Sequence, residues 1–121
     1  MTNKILVVDD DKNIVLAIET ILNLENYDTI SAFTGEESIK KAKSEQPMLI
    51  LLDFMLPDMT GKQVVERIRR DDALKDIPII LISATHDLIE ICKEIQIQGI
   101  IEKPFDLETL TSTVAKITSN N

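Results

Sequence analysis

The 121-residue sequence holds one cysteine and one histidine. Cys92 alone can form neither an internal disulfide nor a multi-cysteine metal site, which agrees with a reducing compartment and leaves packing as its role. His86 alone supports neither a histidine metal site nor a Ser-His-Asp triad. Cations are also short: 13 Lys and Arg stand against 21 Asp and Glu, a formal net charge of −8. That sign is wrong for gripping a phosphate backbone, so direct nucleic-acid binding by this segment is not expected. Long apolar runs are missing too. Ile79-Ile80-Leu81-Ile82 is strand-sized, far below the roughly 20 residues needed to cross a bilayer, and the N-terminus lacks a basic region followed by an apolar one. The composition predicts a soluble cytoplasmic protein with no membrane contact.

What is present is ordinary for one folded domain: 44% hydrophobic and 28% charged residues, with no internal repeat, linker or low-complexity segment. Residues 1–121 are read as a single domain. Lys4 to Val8 is a β-branched apolar run that stops at Asp9-Asp10-Asp11, residues suited to a helix N-cap. Ile14, Ala17, Ile18, Ile21 and Leu22 then recur at helical spacing from Lys12 to about Glu25. A weaker strand covers about Tyr27 to Ala32, and Thr34 with Glu37 has capping-box spacing for a helix that ends before Pro47. Met48 to Leu52 is continuously apolar, as expected of a strand covered on both faces, and it ends at Asp53. After a turn rich in Pro, Asp and Gly, a third helix turns Val64, Val65 and Ile68 inward. Pro78 leads into a strand from Ile79 to Ile82, which gives way at Ser83 to a helix with Leu88, Ile91, Cys92 and Ile95 on one stripe. Ile100 to Glu102 form a fifth strand, and Asp106 caps a last helix with Leu107, Leu110, Val114 and Ile117 inward.

Five alternating strand and helix pairs imply an α/β fold, a parallel sheet with helices on both faces and right-handed crossovers. Sites in such sheets lie beyond the carboxyl ends of the strands. Those ends carry Asp9, Asp10 and Asp11, then Asp53, Ser83 and Lys103. Two carboxylates about 5 Å apart repel by roughly 3 kcal/mol at an effective dielectric near 20. A hard divalent cation relieves them, and magnesium suits best because it takes oxygen ligands and keeps positions for phosphate. Asp53 can then act as a nucleophile toward phosphorus. Lys103 would carry charge on the phosphoryl oxygens and Ser83 would donate a hydrogen bond to one of them.

Four segments, Val7-Val8-Asp9-Asp10-Asp11, Leu51 to Gly61 around Asp53, Ser83-Ala84 and Lys103-Pro104-Phe105, resemble in order the signature segments of response-regulator receiver domains of two-component signalling. The resemblance spans nearly the whole chain. It implies a flavodoxin-like doubly wound fold, strand order 2-1-3-4-5 with five helices, like the chemotaxis receivers. It also implies that Asp53 is the phosphoacceptor, that Asp10 binds magnesium directly and Asp9 directly or through water, and that the Met55 backbone carbonyl is a further ligand. Lys103 would pair with the phosphoryl group across a cis Lys103-Pro104 bond, and Ser83 would be the switch hydroxyl. The implied donor is a histidine kinase or phosphotransfer protein. The implied response is at the surface of the fourth helix, fifth strand and last helix, toward a downstream protein or output domain, with a phosphorylation-linked homodimer as one form. Such a protein is a signalling phosphoacceptor rather than an enzyme, assisting only its own phosphorylation and dephosphorylation. Ile100 departs from the family, which places an aromatic switch residue there, so transmission from Ser83 would run through packing in the loop after the fourth strand.

Two rivals share parts of this pattern. A magnesium phosphatase of the haloacid dehalogenase type would use Asp9 as nucleophile in an Asp-x-Asp motif with Asp11, but the chain has no room for a cap domain and Asp53 would go unexplained. A flavodoxin-like electron carrier needs an anion-binding first loop, where three aspartates repel.

Overall fold

The structure, a computed structural model, describes residues 3–84, 93 and 95–119. Strands β1 (Lys4–Val8), β2 (Asp28–Ala32), β3 (Leu49–Asp53), β4 (Ile79–Ser83) and β5 (Gly99–Glu102) alternate with helices α1 (Lys12–Leu24), α2 (Gly35–Glu45), α3 (Gly61–Arg70) and α4 (Leu107–Thr118). All strand pairs are parallel. Their order is β2-β1-β3-β4-β5, the order that the resemblance implies. Of the helix expected through Leu88, Ile91, Cys92 and Ile95, the first three residues lie outside the described residues, and Ile95 packs against the core from a bend; α4 is the last of the five expected helices. No helix among the described residues is long and apolar enough to cross a membrane.

The sheet is apolar on both faces because helices cover both. Leu6, Val8, Ile50, Leu52 and Leu81 pack with Ile39 and Ala42 of α2 and Val64, Val65 and Ile68 of α3. Ile5, Val7, Leu49, Leu51, Ile80 and Ile82 pack on the other side with Val15, Ile18 and Leu22 of α1 and Leu110 and Val114 of α4. Every residue of β3 and β4 is buried, which explains why neither strand alternates in sequence.

Two inward assignments change. On α1 the buried stripe is Val15, Ile18 and Leu22. Ala17 is exposed, and with Ile14 and Ile21 it borders a shallow apolar groove against Pro104 and Phe105. Ile14 and Ile21 are partly buried and still pack against the core, so only Ala17 leaves the stripe and Val15 joins it. Leu107 is 59% exposed, since it sits at the first position of α4, where the helix only begins its return from the carboxyl edge. Ile97 and Ile100 pack against the α2–α3 side of the core.

At the opposite edge, Arg69 closes the amino end of β4. Its Nε donates to the Gln96 carbonyl at 3.0 Å, and its Nη1 donates to the carbonyls of Lys75 at 2.9 Å and Ile77 at 2.8 Å. Its Nη2 meets Gln98 Oε1 at 3.2 Å, and that oxygen also accepts from Ile79 N at 2.7 Å. Burial pushes the guanidinium pKa down, partly offset by Asp76, but an arginine remains charged at any ordinary pH. Arg69→Ala is expected to cost about 2 kcal/mol, a fall in Tm of roughly 8 °C, because several carbonyls lose a charged donor together. Thermal denaturation checks this, and an unchanged midpoint would refute it.

Candidate functional site

The carboxyl edge is built by four chain segments. Asp9 continues the ladder beyond β1, its N–H donating to the Ala32 carbonyl at 3.2 Å, and only 4% of its surface is exposed. Its Oδ1 accepts from Asp11 N at 2.9 Å, which turns the chain toward α1. Asp11 is the N-cap, accepting from Asn13 N at 2.9 Å, a local role that draws its carboxylate to the helix. Asp10, between them, is exposed. Asp53 is the last residue of β3, paired in register with Ile82 and 6% exposed. Carboxylate oxygens of Asp9, Asp10 and Asp53 lie within 4.8 Å of one another. Asp11 is not in that cluster.

Lys103 spans the cluster. Its Nζ is 3.1 Å from Asp9 Oδ2 and 3.0 Å from Asp53 Oδ1, and it follows β5 directly across a cis Lys103-Pro104 bond. One ammonium faces three carboxylates, so the cluster keeps an excess of negative charge. The pKa of Asp53 is pushed up by burial and by the charges of Asp9 and Asp10, against the opposing hydrogen bond and charge of Lys103. Burial works against the Lys103 ammonium, yet its bonds to Asp53 and Asp9 prevail and raise its pKa. Ser83 ends β4, buried, and its carbonyl accepts from Lys103 N at 2.8 Å. The same two strand ends therefore deliver the hydroxyl and the amine. Met55, two residues past Asp53, is 62% exposed and bridges to Thr60 across the β3–α3 loop.

The donor set tests what the cluster could hold. It is all oxygen, with excess negative charge and one exposed member, which fits a hard divalent ion such as magnesium and not a soft or borderline metal. Asp9, Asp10 and Asp53 would be the protein carboxylates available to it.

One residue with a special position was not singled out from sequence. Asp58, read there only as a turn residue, sends Oδ1 to Gly35 N at 2.8 Å and Oδ2 to Glu36 N at 2.9 Å. No local spacing signals this contact, because its partners lie more than twenty residues upstream. Thr34 caps α2 as expected, accepting from Glu37 N at 3.0 Å. The Glu37 carboxylate, however, accepts from Phe33 N rather than from Thr34 N, so the capping box is only half formed.

Fold and site together define a doubly wound α/β domain with an acidic, lysine-clasped pocket at the switch region of its sheet. Residues 5–115 match the response regulator receiver domain family. The chain belongs to this family, and so carries a receiver module of two-component signalling. It is 35% identical over 119 residues to the alkaline phosphatase synthesis transcriptional regulatory protein PhoP of Bacillus subtilis, a match covering 97% of this chain and 49% of that protein. It is 32% identical to sporulation initiation phosphotransferase F of the same organism, covering 96% and 94%. Among solved structures, the chemotaxis response regulator CheY4 of Vibrio cholerae superposes with a TM-score of 0.89 at 28% identity, covering 97% of this chain and 99% of that one. The chain spans about half the length of several curated relatives it matches. Membership and the engagement of Asp11 in capping both count against the phosphatase alternative.

Proposed function

We propose that the chain is a magnesium-dependent phosphoacceptor in a phosphorelay, with Asp53 receiving a phosphoryl group from the phosphohistidine of a kinase or phosphotransfer protein. The observation that carries this reading is Lys103, bonded at once to Asp9 and Asp53 inside a three-carboxylate cluster. A carboxylate oxygen of Asp53 forms the new bond to phosphorus as the phosphorus–nitrogen bond of the donor breaks. The bonding pair leaves with the imidazole nitrogen, which takes up a proton from solvent. Magnesium, held by Asp10, Asp53 and the Met55 carbonyl, with Asp9 directly or through water, would neutralise the crowded oxygens.

Lys103 is placed to exchange its bond with Asp53 for one to a phosphoryl oxygen, keeping the charge of the pocket balanced. Ser83, at the neighbouring strand end, donates its hydroxyl to another oxygen. Its shift would alter the surface around β5, α4 and the residues between β4 and β5, where a downstream protein, an output domain or a second copy would respond. With the aliphatic Ile100 packed against the core, that change travels through packing rather than an aromatic rotation. We place this single domain, residues 1–121, in the cytoplasm.

Incubation with acetyl phosphate or phosphoramidate and magnesium, followed by intact mass measurement, tests the reading. One added phosphoryl group is expected, lost with EDTA and in Asp53→Asn. No gain in the wild-type protein would refute it.

A further inference from the structure

We propose that Asp58 is a positioning residue that holds the loop carrying Met55 in the shape needed to bind magnesium, an inference that rests on the phosphoacceptor reading above. The loop between β3 and α3 is closed at its base. Gly61 N donates to the Phe54 carbonyl at 2.6 Å, and Met55 bridges to Thr60. Gly61 is required there, since a Cβ would sit 3.0 Å from Phe54 Cα and 3.1 Å from Leu81 Cδ2. Beyond the base, Leu56 and Met59 of the loop pack on the core. Its tip is held further by Asp58, whose two oxygens take separate N–H groups of α2, Gly35 at 2.8 Å and Glu36 at 2.9 Å. Two bonds from one planar carboxylate set a direction as well as a distance.

The seat for this grip is firm. Gly35, Ser38, Ile39 and Ala42 of α2 are buried against the core. The Met59 side chain lies where a Gly35 Cβ would project, so loop and helix interlock. Asp58 also meets the positive end of the α2 dipole, and the donated N–H groups hold its pKa below the usual carboxylate value, keeping it ionised at neutral pH. Thr34 takes the Glu37 N–H, and Asp58 takes the Gly35 and Glu36 N–H groups that this cap leaves open. The same two bonds tie the helix start to the loop, and through the loop they act on the Met55 carbonyl and the end of β3. Partners that orient metal ligands commonly govern affinity by tenfold or more.

Magnesium binding is measured by isothermal titration calorimetry on the whole chain, alongside thermal midpoints with and without magnesium. Asp58→Ala is expected to weaken magnesium binding about tenfold and to shrink the magnesium-induced rise in Tm. Asp58→Asn keeps one acceptor oxygen, so its loss is expected to be intermediate. Thr34→Ala, which removes the helix cap and spares the loop, is expected to lower Tm while leaving magnesium affinity unchanged. Wild-type affinity in both Asp58 variants, with Tm lowered equally in the two conditions, would show that Asp58 only caps α2 and would overturn the proposal. A wild-type protein that binds no magnesium would overturn the phosphoacceptor reading and this one with it.

Discussion

Lys103→Met is expected to lower the thermal midpoint by roughly 10 °C at pH 7 in the absence of divalent cations, about 2–3 kcal/mol of stability. The substitution keeps the aliphatic stem and removes only the ammonium that bonds Asp9 and Asp53. Three carboxylate groups within 4.8 Å then face one another with no cation among them. The pKa of Lys103 is raised in the fold, so its contribution is complete below the ordinary lysine value and lost only as pH climbs through the higher folded one. At neutral pH the whole of it is at stake. Two conditions should restore the variant in part: mild acid, which protonates a carboxylate, and magnesium, which replaces the missing positive charge. Thermal denaturation at pH 5 and pH 7, with and without magnesium, measures all of this. A midpoint equal to wild type at pH 7 would mean that the lysine does not hold the cluster together.

Asp53→Asn should move stability the other way. Asp53 is buried and its pKa is raised, so the folded state holds a proton more tightly than the unfolded state. Stability from this group therefore falls as pH rises from the ordinary carboxylate value of 3.8 through the raised one, and the cost is complete above it. Asparagine is close in shape, carries no charge and still offers an oxygen to Lys103. A gain of about 1 kcal/mol, or roughly 4 °C in Tm, is expected in EDTA. The same variant should lose most of the stabilisation that magnesium gives the wild-type protein. A lower midpoint in EDTA would contradict the electrostatic account of the pocket. One cluster thus yields substitutions of opposite sign, which a purely steric view of the site would not.

The pocket was legible in sequence because strand ends in a parallel sheet share one edge, so the order of strands turns distant residues into neighbours. Asp9, Asp10, Asp53 and Lys103 meet in the structure for that reason. The helix starts at Asp11, Thr34 and Asp106 were legible because capping is local chemistry. Val64, Val65 and Ile68 were legible because nothing competes for that face of α3. Ala17 and Leu107 were not, since periodicity gives the width of an apolar stripe but not which residues at its margin the sheet covers. Arg69 and Asp58 carried no signal at all. Each acts on backbone groups outside its own element, and a side chain seeking main-chain partners leaves no spacing to read. Leu88, Ile91 and Cys92 of the expected helix, and His86, lie outside the described residues.

The clasp of Arg69 gives the molecule two unlike ends. At the carboxyl edge, like charges crowd together and reduce stability. At the amino edge of β4, one guanidinium gathers carbonyls from the α3–β4 loop and from the residues before β5. The margin that tolerates a strained pocket is therefore kept at a distance from it. Such a division bears on how the sequence can diverge: the residues around Asp53 can change, at some loss of stability, so long as the far end keeps its arginine.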